Sequence, residues 1–233
     1  MQQPKDDILL ACTNMSMLHN CKAFLAKHFN MTDLGKASYF LGIKISKNGK
    51  RCLLGLSQKT YTEKILKRFN MEGCVGSDVP ILKGDKFSTD QAPKTDQGKH
   101  EMAEKLYASL VGSLMYAEVC TRPDIAFSVS VLGRFQSNLG QAHWIAGKRV
   151  MRYLQRTNDY KLVYKRGDRL EVEGYADADF AGCKDDSKST PRYVFLFSGV
   201  VISWRSNRQP LTVASNMWQN FWLVMKQPLK LCG

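Results

Sequence analysis

The sequence predicts an α+β chain, mostly helical with one β-hairpin in its first part and β-rich in its last third. Three observations carry this. Apolar residues recur at three- and four-residue steps through several segments before residue 157. An Asn48-Gly49 pair lies between two apolar runs, Tyr39 to Ile45 and Cys52 to Leu56. After Thr157 the apolar period changes to two residues, which sets a boundary between two parts near that position. A length of 233 residues suits one or two domains at ~150 residues each.

Taken in order, Ile8-Leu9-Leu10-Ala11 reads as a strand. Asn14 to Asn30 reads as a helix, with Leu18, Cys21, Leu25 and Phe29 on one stripe and Thr13 or Asn14 as N-cap. The hairpin follows, turning at Asn-Gly because both residues tolerate positive φ. Ser57 opens a second helix whose Tyr61, Ile65, Leu66 and Phe69 share a side. Lys83 to Glu104 holds Gly84, Pro93, Gly98 and many charges, the composition of an exposed connector.

Lys105 to Cys120 reads as helical. Pro123, a favoured first helical residue, restarts a helix with Ile125, Val129, Leu132 and Phe135 as its buried stripe. Ala142 to Arg156 turns Ile145, Val150, Tyr153 and Leu154 inward and Lys148, Arg149, Arg152 and Arg156 outward. Leu162 to Tyr164, Leu170 to Ala176 and Tyr193 to Trp204 read as strands, with Gly199 as a turn or bulge in the last. The region Tyr107 to Leu154 is expected to be the best ordered.

Thirty-four Lys and Arg face 21 Asp and Glu, leaving +13, which points to a polyanionic partner, most often nucleic acid. The window Trp144 to Arg169 contributes +6 of this, with eight basic and two acidic residues. Its basic helix face reads either as a phosphate-binding surface or as an ordinary solvated face. The longest apolar run, Tyr193 to Trp204, is 12 residues, short of the ~20 that span a bilayer, so no membrane partner is expected. No basic-then-apolar leader precedes Ile8, and the seven cysteines form no CxxC pair, so an intracellular protein of cytoplasm or nucleus, without structural zinc, is expected.

Carboxylates are the candidate chemistry. Asp6-Asp7 precedes an apolar run, and Asp177-Ala178-Asp179 ends a predicted strand, with Asp185-Asp186 beyond. Acids at strand ends suit hard divalent cations, although Asp pairs in loops also serve as solvated turn residues or caps. Tyr39, Phe40, Trp144 and Trp204 read as core residues or as base-stacking platforms. No phosphate-binding glycine loop or nucleophile elbow occurs.

Beyond these features, the order of motifs resembles the reverse transcriptase of copia-type LTR retrotransposon Pol polyproteins. The motifs are Asp6 to Ala11, Asp33 to Ile43, Gly55 to Tyr61, Tyr107 to Tyr116 and Cys120 to Ala126. Gly174 to Gly182 and Ile202 to Ser206 resemble the start of the family's ribonuclease H. The resemblance implies a partial palm and thumb followed by an incomplete ribonuclease H-like sheet. It divides the chain into a palm remnant with a primer-grip-like hairpin (1–82), the exposed connector (83–104), a helical thumb or connection region (105–157) and a truncated ribonuclease H-like domain (158–233).

It also implies RNA-directed DNA polymerisation and RNA cleavage, with two Mg²⁺ ions held by carboxylates and a primer–template or RNA–DNA hybrid as partner. Asp6 and Asp7 match the adjacent aspartates of the family's Tyr-Val-Asp-Asp turn, and Asp177 matches the first ribonuclease H carboxylate. The departures are as telling. Pro4-Lys5 stand in place of Tyr-Val, and the pattern's upstream part is missing. Asn220, or Gln219, falls where the family has its catalytic Glu, and no acid follows Asp186. The expectation is therefore an inactive remnant with salt-sensitive nucleic-acid binding through Lys148, Arg149, Arg152 and Arg156. Its rivals are a nuclease or polymerase fragment completed by another chain, and a host-adopted binding protein without chemistry.

Overall fold

Asn14 starts the first helix as expected, its side-chain oxygen accepting from the Ser16 and Met17 N–H groups at 2.9 and 3.2 Å. In the computed structural model, which describes residues 7–166, 171–179 and 190–207, α1 runs Met15–His28. Its apolar stripe is not buried: Leu18 and Leu25 are half-covered, while Met15, Met17, Phe24 and Phe29 are exposed. Periodicity specifies a stripe, but burial needs an opposing element, and α1 lies outside the core. Ile8 to Ala11 do not form the expected strand, because no described strand lends them a ladder.

The hairpin region folds more tightly than expected. A two-residue turn at Leu41 and Gly42, both at positive φ (46° and 72°), splits the first run into β1 (Tyr39–Phe40) and β2 (Ile43–Asn48). β3 (Leu53–Ser57) returns antiparallel to β2. Asn48 stays in the strand, where its Oδ1 accepts from the Arg51 N–H at 3.1 Å, and the positive φ falls on Cys52 instead. The loop thus spans four residues rather than two.

The strand after the expected boundary completes this same sheet. β4 (Lys161–Lys165) pairs with β3, giving the order β1-β2-β3-β4. A second sheet holds β5 (Val172–Asp179), β6 (Thr190–Phe197) and β7 (Val200–Ser206) in that order, all antiparallel. Tyr193 to Trp204 is therefore a hairpin rather than one strand. Its turn, Ser198-Gly199, has φ of 50° and 74°, the left-handed pair that matches strand twist.

Between the sheets and the loops lies a helical core. α2 (Lys59–Arg68), α4 (Tyr107–Thr121), α5 (Ala126–Leu132) and α6 (Gln141–Arg156) bury Leu66, Leu110, Leu114, Leu132, Val150 and Leu154 almost completely. Asn70, at φ 52°, reverses the chain after α2 so that the Met71 N–H reaches Leu66 O at 2.8 Å. A Cβ at Gly147 would sit 2.9 Å from Leu110 Cδ2, which marks the close approach of α4 and α6. The buried stripe after Pro123 is as expected, with Ile125, Val129, Leu132 and Phe135 inside. Ile145 is not: it is 49% exposed, because the inward stripe of α6 is His143, Ala146, Gly147, Val150, Met151 and Leu154.

The 83–104 stretch is mostly exposed and carries short local structure. α3 (Asp96–Ala103) buries nothing, but Ser88 caps a 3₁₀ turn at Thr89–Gln91. Phe87 packs on Phe135 and His143, whose rings stack 4.0 Å apart.

Candidate functional site

The motifs that carry the family resemblance fold onto one another. The Tyr116 hydroxyl donates to Leu41 O, which holds the left-handed turn between β1 and β2. The Tyr61 hydroxyl donates to Ser113 O at 3.1 Å, joining α2 to α4. Gln58, buried at the foot of α2, accepts from the Thr121 hydroxyl at 2.7 Å. Burial pushes the Tyr61, Tyr116 and Cys120 groups above their ordinary pKa values, keeping them protonated.

Arg122 is the hub of the Thr-Arg-Pro-Asp stretch. Its guanidinium, almost fully buried, donates to both Asp124 carboxylate oxygens. It also donates to the Thr157 hydroxyl at 2.6 Å, and it lies against the Tyr153 and Tyr160 rings at 5.4 and 5.6 Å. This residue holds the fold together, a role that its place in a motif does not reveal.

Among the described residues the candidate carboxylates form no metal-holding cluster. Asp6 lies outside the described residues, as do Asp185, Asp186, Gln219 and Asn220. Asp7 sits exposed in irregular chain before α1. Asp177 lies in β5 directly opposite Arg192 of β6. Its Oδ2 accepts from Arg192 Nε at 2.9 Å and also from Nη2, and the same guanidinium stands 5.5 Å over the Phe127 ring. Among the described residues no three His, Cys, Asp or Glu side chains come close enough to hold a metal ion. No two-metal carboxylate site is formed among the described residues, and Asp177 is ion-paired with the half-exposed Arg192. Sequence reasoning missed Arg192, since only strand register reveals the pairing.

The outward face of α6 is tied down in part. Arg149 pairs with Asp85 at 2.7 Å and Arg156 with Asp78 at 2.8 Å. Arg152 Nε donates to Val75 O at 2.7 Å. Lys148 and Lys105 stand over the Trp144 ring at 5.7 and 5.8 Å. With Met71 and Ile145, Lys148, Arg149 and Arg152 line a shallow groove of about 280 Å³. These cations clamp the segment after α2 onto α6.

One polar link ties the second sheet to α4, and another ties the two sheets to each other. Trp204 Nε1 donates to Glu118 O at 3.2 Å, and the Tyr164 hydroxyl to Val201 O at 3.2 Å. Trp204 is thus an anchor for β7 rather than an open stacking platform. Burial raises the nearby Glu118 carboxyl, against the opposing effect of the Trp204 indole. Among the described residues no helix is long and apolar enough to cross a membrane.

Comparison with known proteins gives these residues a lineage. Residues 4–83 match the family described as reverse transcriptase (RNA-dependent DNA polymerase). The chain is 42% identical over 210 residues to the retrovirus-related Pol polyprotein from transposon TNT 1-94 of Nicotiana tabacum, covering 90% of this chain and 16% of that protein. It is 36% identical over 214 residues to the corresponding polyprotein from transposon RE1 of Arabidopsis thaliana, covering 91% and 14%. An uncharacterised mitochondrial protein of Arabidopsis thaliana is 32% identical over 213 residues, which cover 91% of this chain and 84% of that one. The chain thus spans about one-sixth or less of the Pol polyproteins it matches. No solved structure matches. By these similarities the chain belongs to the copia-type retrotransposon Pol polyproteins, as a fragment with a reverse-transcriptase-like region.

Proposed function

We propose that this 233-residue stretch binds nucleic acid and neither polymerises nor cleaves it on its own. The observation that carries the second half is the pairing of Asp177 with Arg192. A carboxylate that already accepts from a guanidinium has a cation competing with any divalent ion for the same oxygens. Asn220, or Gln219, standing where the family has its catalytic Glu points the same way. Net charge of +13 supports the first half, because release of counterions from the phosphate backbone drives association with any basic partner. Lys148, Arg149, Arg152 and Arg156 add to that field. Three of the four also hold partners within the chain, Asp85, Val75 O and Asp78, so part of their charge serves the fold.

The test is a titration of a labelled RNA–DNA hybrid at several salt concentrations, with hybrid integrity and primer extension read in Mg²⁺ from the same tubes. The expected result is binding that weakens steeply with salt, an intact hybrid and an unextended primer. Mg²⁺-dependent cleavage abolished by Asp177→Asn, or extension of the primer, would overturn the reading.

A further inference from the structure

We infer that the groove between α6 and the segment after α2 docks a partner protein through an acidic peptide that carries a bulky apolar side chain. The inference goes beyond the nucleic-acid reading and does not depend on it.

Helical period builds one wall. Ile145, Lys148, Arg149 and Arg152 stand at i, i+3, i+4 and i+7 on α6, so they form one row along its outer face. Met71 supplies the other wall, next to Asn70, where the chain reverses after α2. The segment that follows is fastened beside that row. The Gln155 amide donates to Glu72 O at 2.9 Å, Arg152 Nε to Val75 O at 2.7 Å, and the Ser77 N–H to Arg152 O at 3.2 Å. A Cβ at Gly76 would stand 2.7 Å from Arg156 Cβ, so the segment lies against α6 as closely as only glycine permits there. The groove is therefore preformed by the fold.

Its chemistry is split. Met71 and Ile145 give it an apolar floor, and Ile145 is 49% exposed between cations. Lys148, Arg149 and Arg152 give it a basic rim, and none of its lining residues is acidic. Arg149 is paired with Asp85. Arg152, by contrast, donates to the described chain only through Nε, which leaves its two Nη groups for a carboxylate. Val75, 79% exposed, extends the apolar surface at that end.

Size and charge decide among occupants. About 280 Å³ lies below the ~300–1,000 Å³ of a small-molecule site, and suits one side chain rather than an acyl chain or a cofactor. A phosphate backbone would meet the rim but has nothing for the floor, and no aromatic ring lines the groove to stack on a base. A peptide supplies both halves: an apolar side chain for Met71 and Ile145, and neighbouring carboxylates for Lys148 and the Arg152 Nη groups. The net charge of +13 also steers an acidic partner towards the chain.

The test uses the whole chain and a short fluorescein-labelled peptide, Asp and Glu around one central Leu, read by anisotropy. A second peptide carries Ser for that Leu, and a labelled oligothymidylate is titrated beside both. Ile145→Ser is expected to weaken the Leu peptide more than about fivefold and to leave the Ser peptide and the oligothymidylate within about twofold. Lys148→Glu is expected to weaken both peptides more than about fivefold. Lys36→Glu, which lowers the charge equally from +13 to +11, is expected to weaken them less than about twofold. Circular dichroism checks folding.

On the unmodified chain, no saturable binding of the Leu peptide, or a difference under about twofold between the two peptides, overturns the inference and leaves the nucleic-acid reading standing. Equal losses of both peptides on Ile145→Ser, or equal losses from Lys148→Glu and Lys36→Glu, overturn it as well. A larger loss for the oligothymidylate than for the Leu peptide on Ile145→Ser makes the groove a nucleic-acid contact, which also overturns it.

Discussion

Arg122 and Thr157 are joined twice: the guanidinium Nη2 donates to the Thr157 hydroxyl at 2.6 Å and Nη1 to its carbonyl at 3.3 Å. The pair links the end of α4 to the residue that closes α6. From there the chain enters β4, so the link also sets where the fourth strand meets β3.

Replacing Arg122 is therefore costly. Arg122→Ala leaves Asp124 and two Thr157 acceptors without their donor in a largely buried setting, at about 3 kcal/mol. Arg122→Lys recovers little, because an ammonium cannot reach the carboxylate and Thr157 with a planar fork. Urea unfolding checks both. A loss below about 0.5 kcal/mol for Arg122→Ala would mean that the cluster is incidental to stability.

Stability falls with alkali. Burial, reinforced by Asp124, pushes the Tyr153 hydroxyl from 10.0 to about 12, and burial raises Tyr107, Tyr61 and Tyr164 as well. A raised folded-state pKa favours the neutral form on folding. Its contribution is complete below the unfolded value near 10 and is lost as pH climbs towards about 12. Tyrosinate absorbance and circular dichroism, followed together, are expected to change in one step within that window. Free titration of all nine tyrosines near pH 10 with the fold intact would contradict it.

Gly140 is where the connector touches the start of α6. A Cβ there would meet Gln91 O at 2.0 Å and Ala92 N at 3.2 Å, both backbone atoms that cannot swing aside. Gly140→Ala is expected to cost at least about 2 kcal/mol, by forcing the Thr89–Gln91 turn off the helix. Limited proteolysis should show new cleavage between residues 83 and 104 in this variant and not in the parent.

The Ser198-Gly199 turn admits a gain as well as a loss. Ser198→Asn places a residue that tolerates φ near 50° and is expected to add a few tenths of a kcal/mol. Gly199→Val, strained at φ 74°, is expected to cost about 1–2 kcal/mol. Thermal unfolding reads both, and a Val variant as stable as the parent would refute the turn assignment.

Much of the fold is legible in the residue pattern because it rests on local rules. Asn14 as N-cap, the helix around Ile65 and Leu66, the restart at Pro123 and the inward Val150 and Leu154 follow from capping chemistry and helical period. So do the charge balance and the family, which sit in composition and motif order. What depends on distant partners is not legible. The turn at Leu41-Gly42 is held by Tyr116, 75 residues away, and α1 and Ile145 stay exposed because no described element covers them.

The candidate sites divide along the same line. Sequence alone identifies Asp177 as a carboxylate at a strand and Lys148, Arg149, Arg152 and Arg156 as one helix face. Only the folded chain decides that Asp177 meets Arg192, that three of those four cations also hold Asp85, Val75 and Asp78, and that Met71 and Ile145 line one groove. The physical reason is range: period and capping act over a turn of chain, whereas strand register and ion pairing bring together residues that the sequence holds far apart.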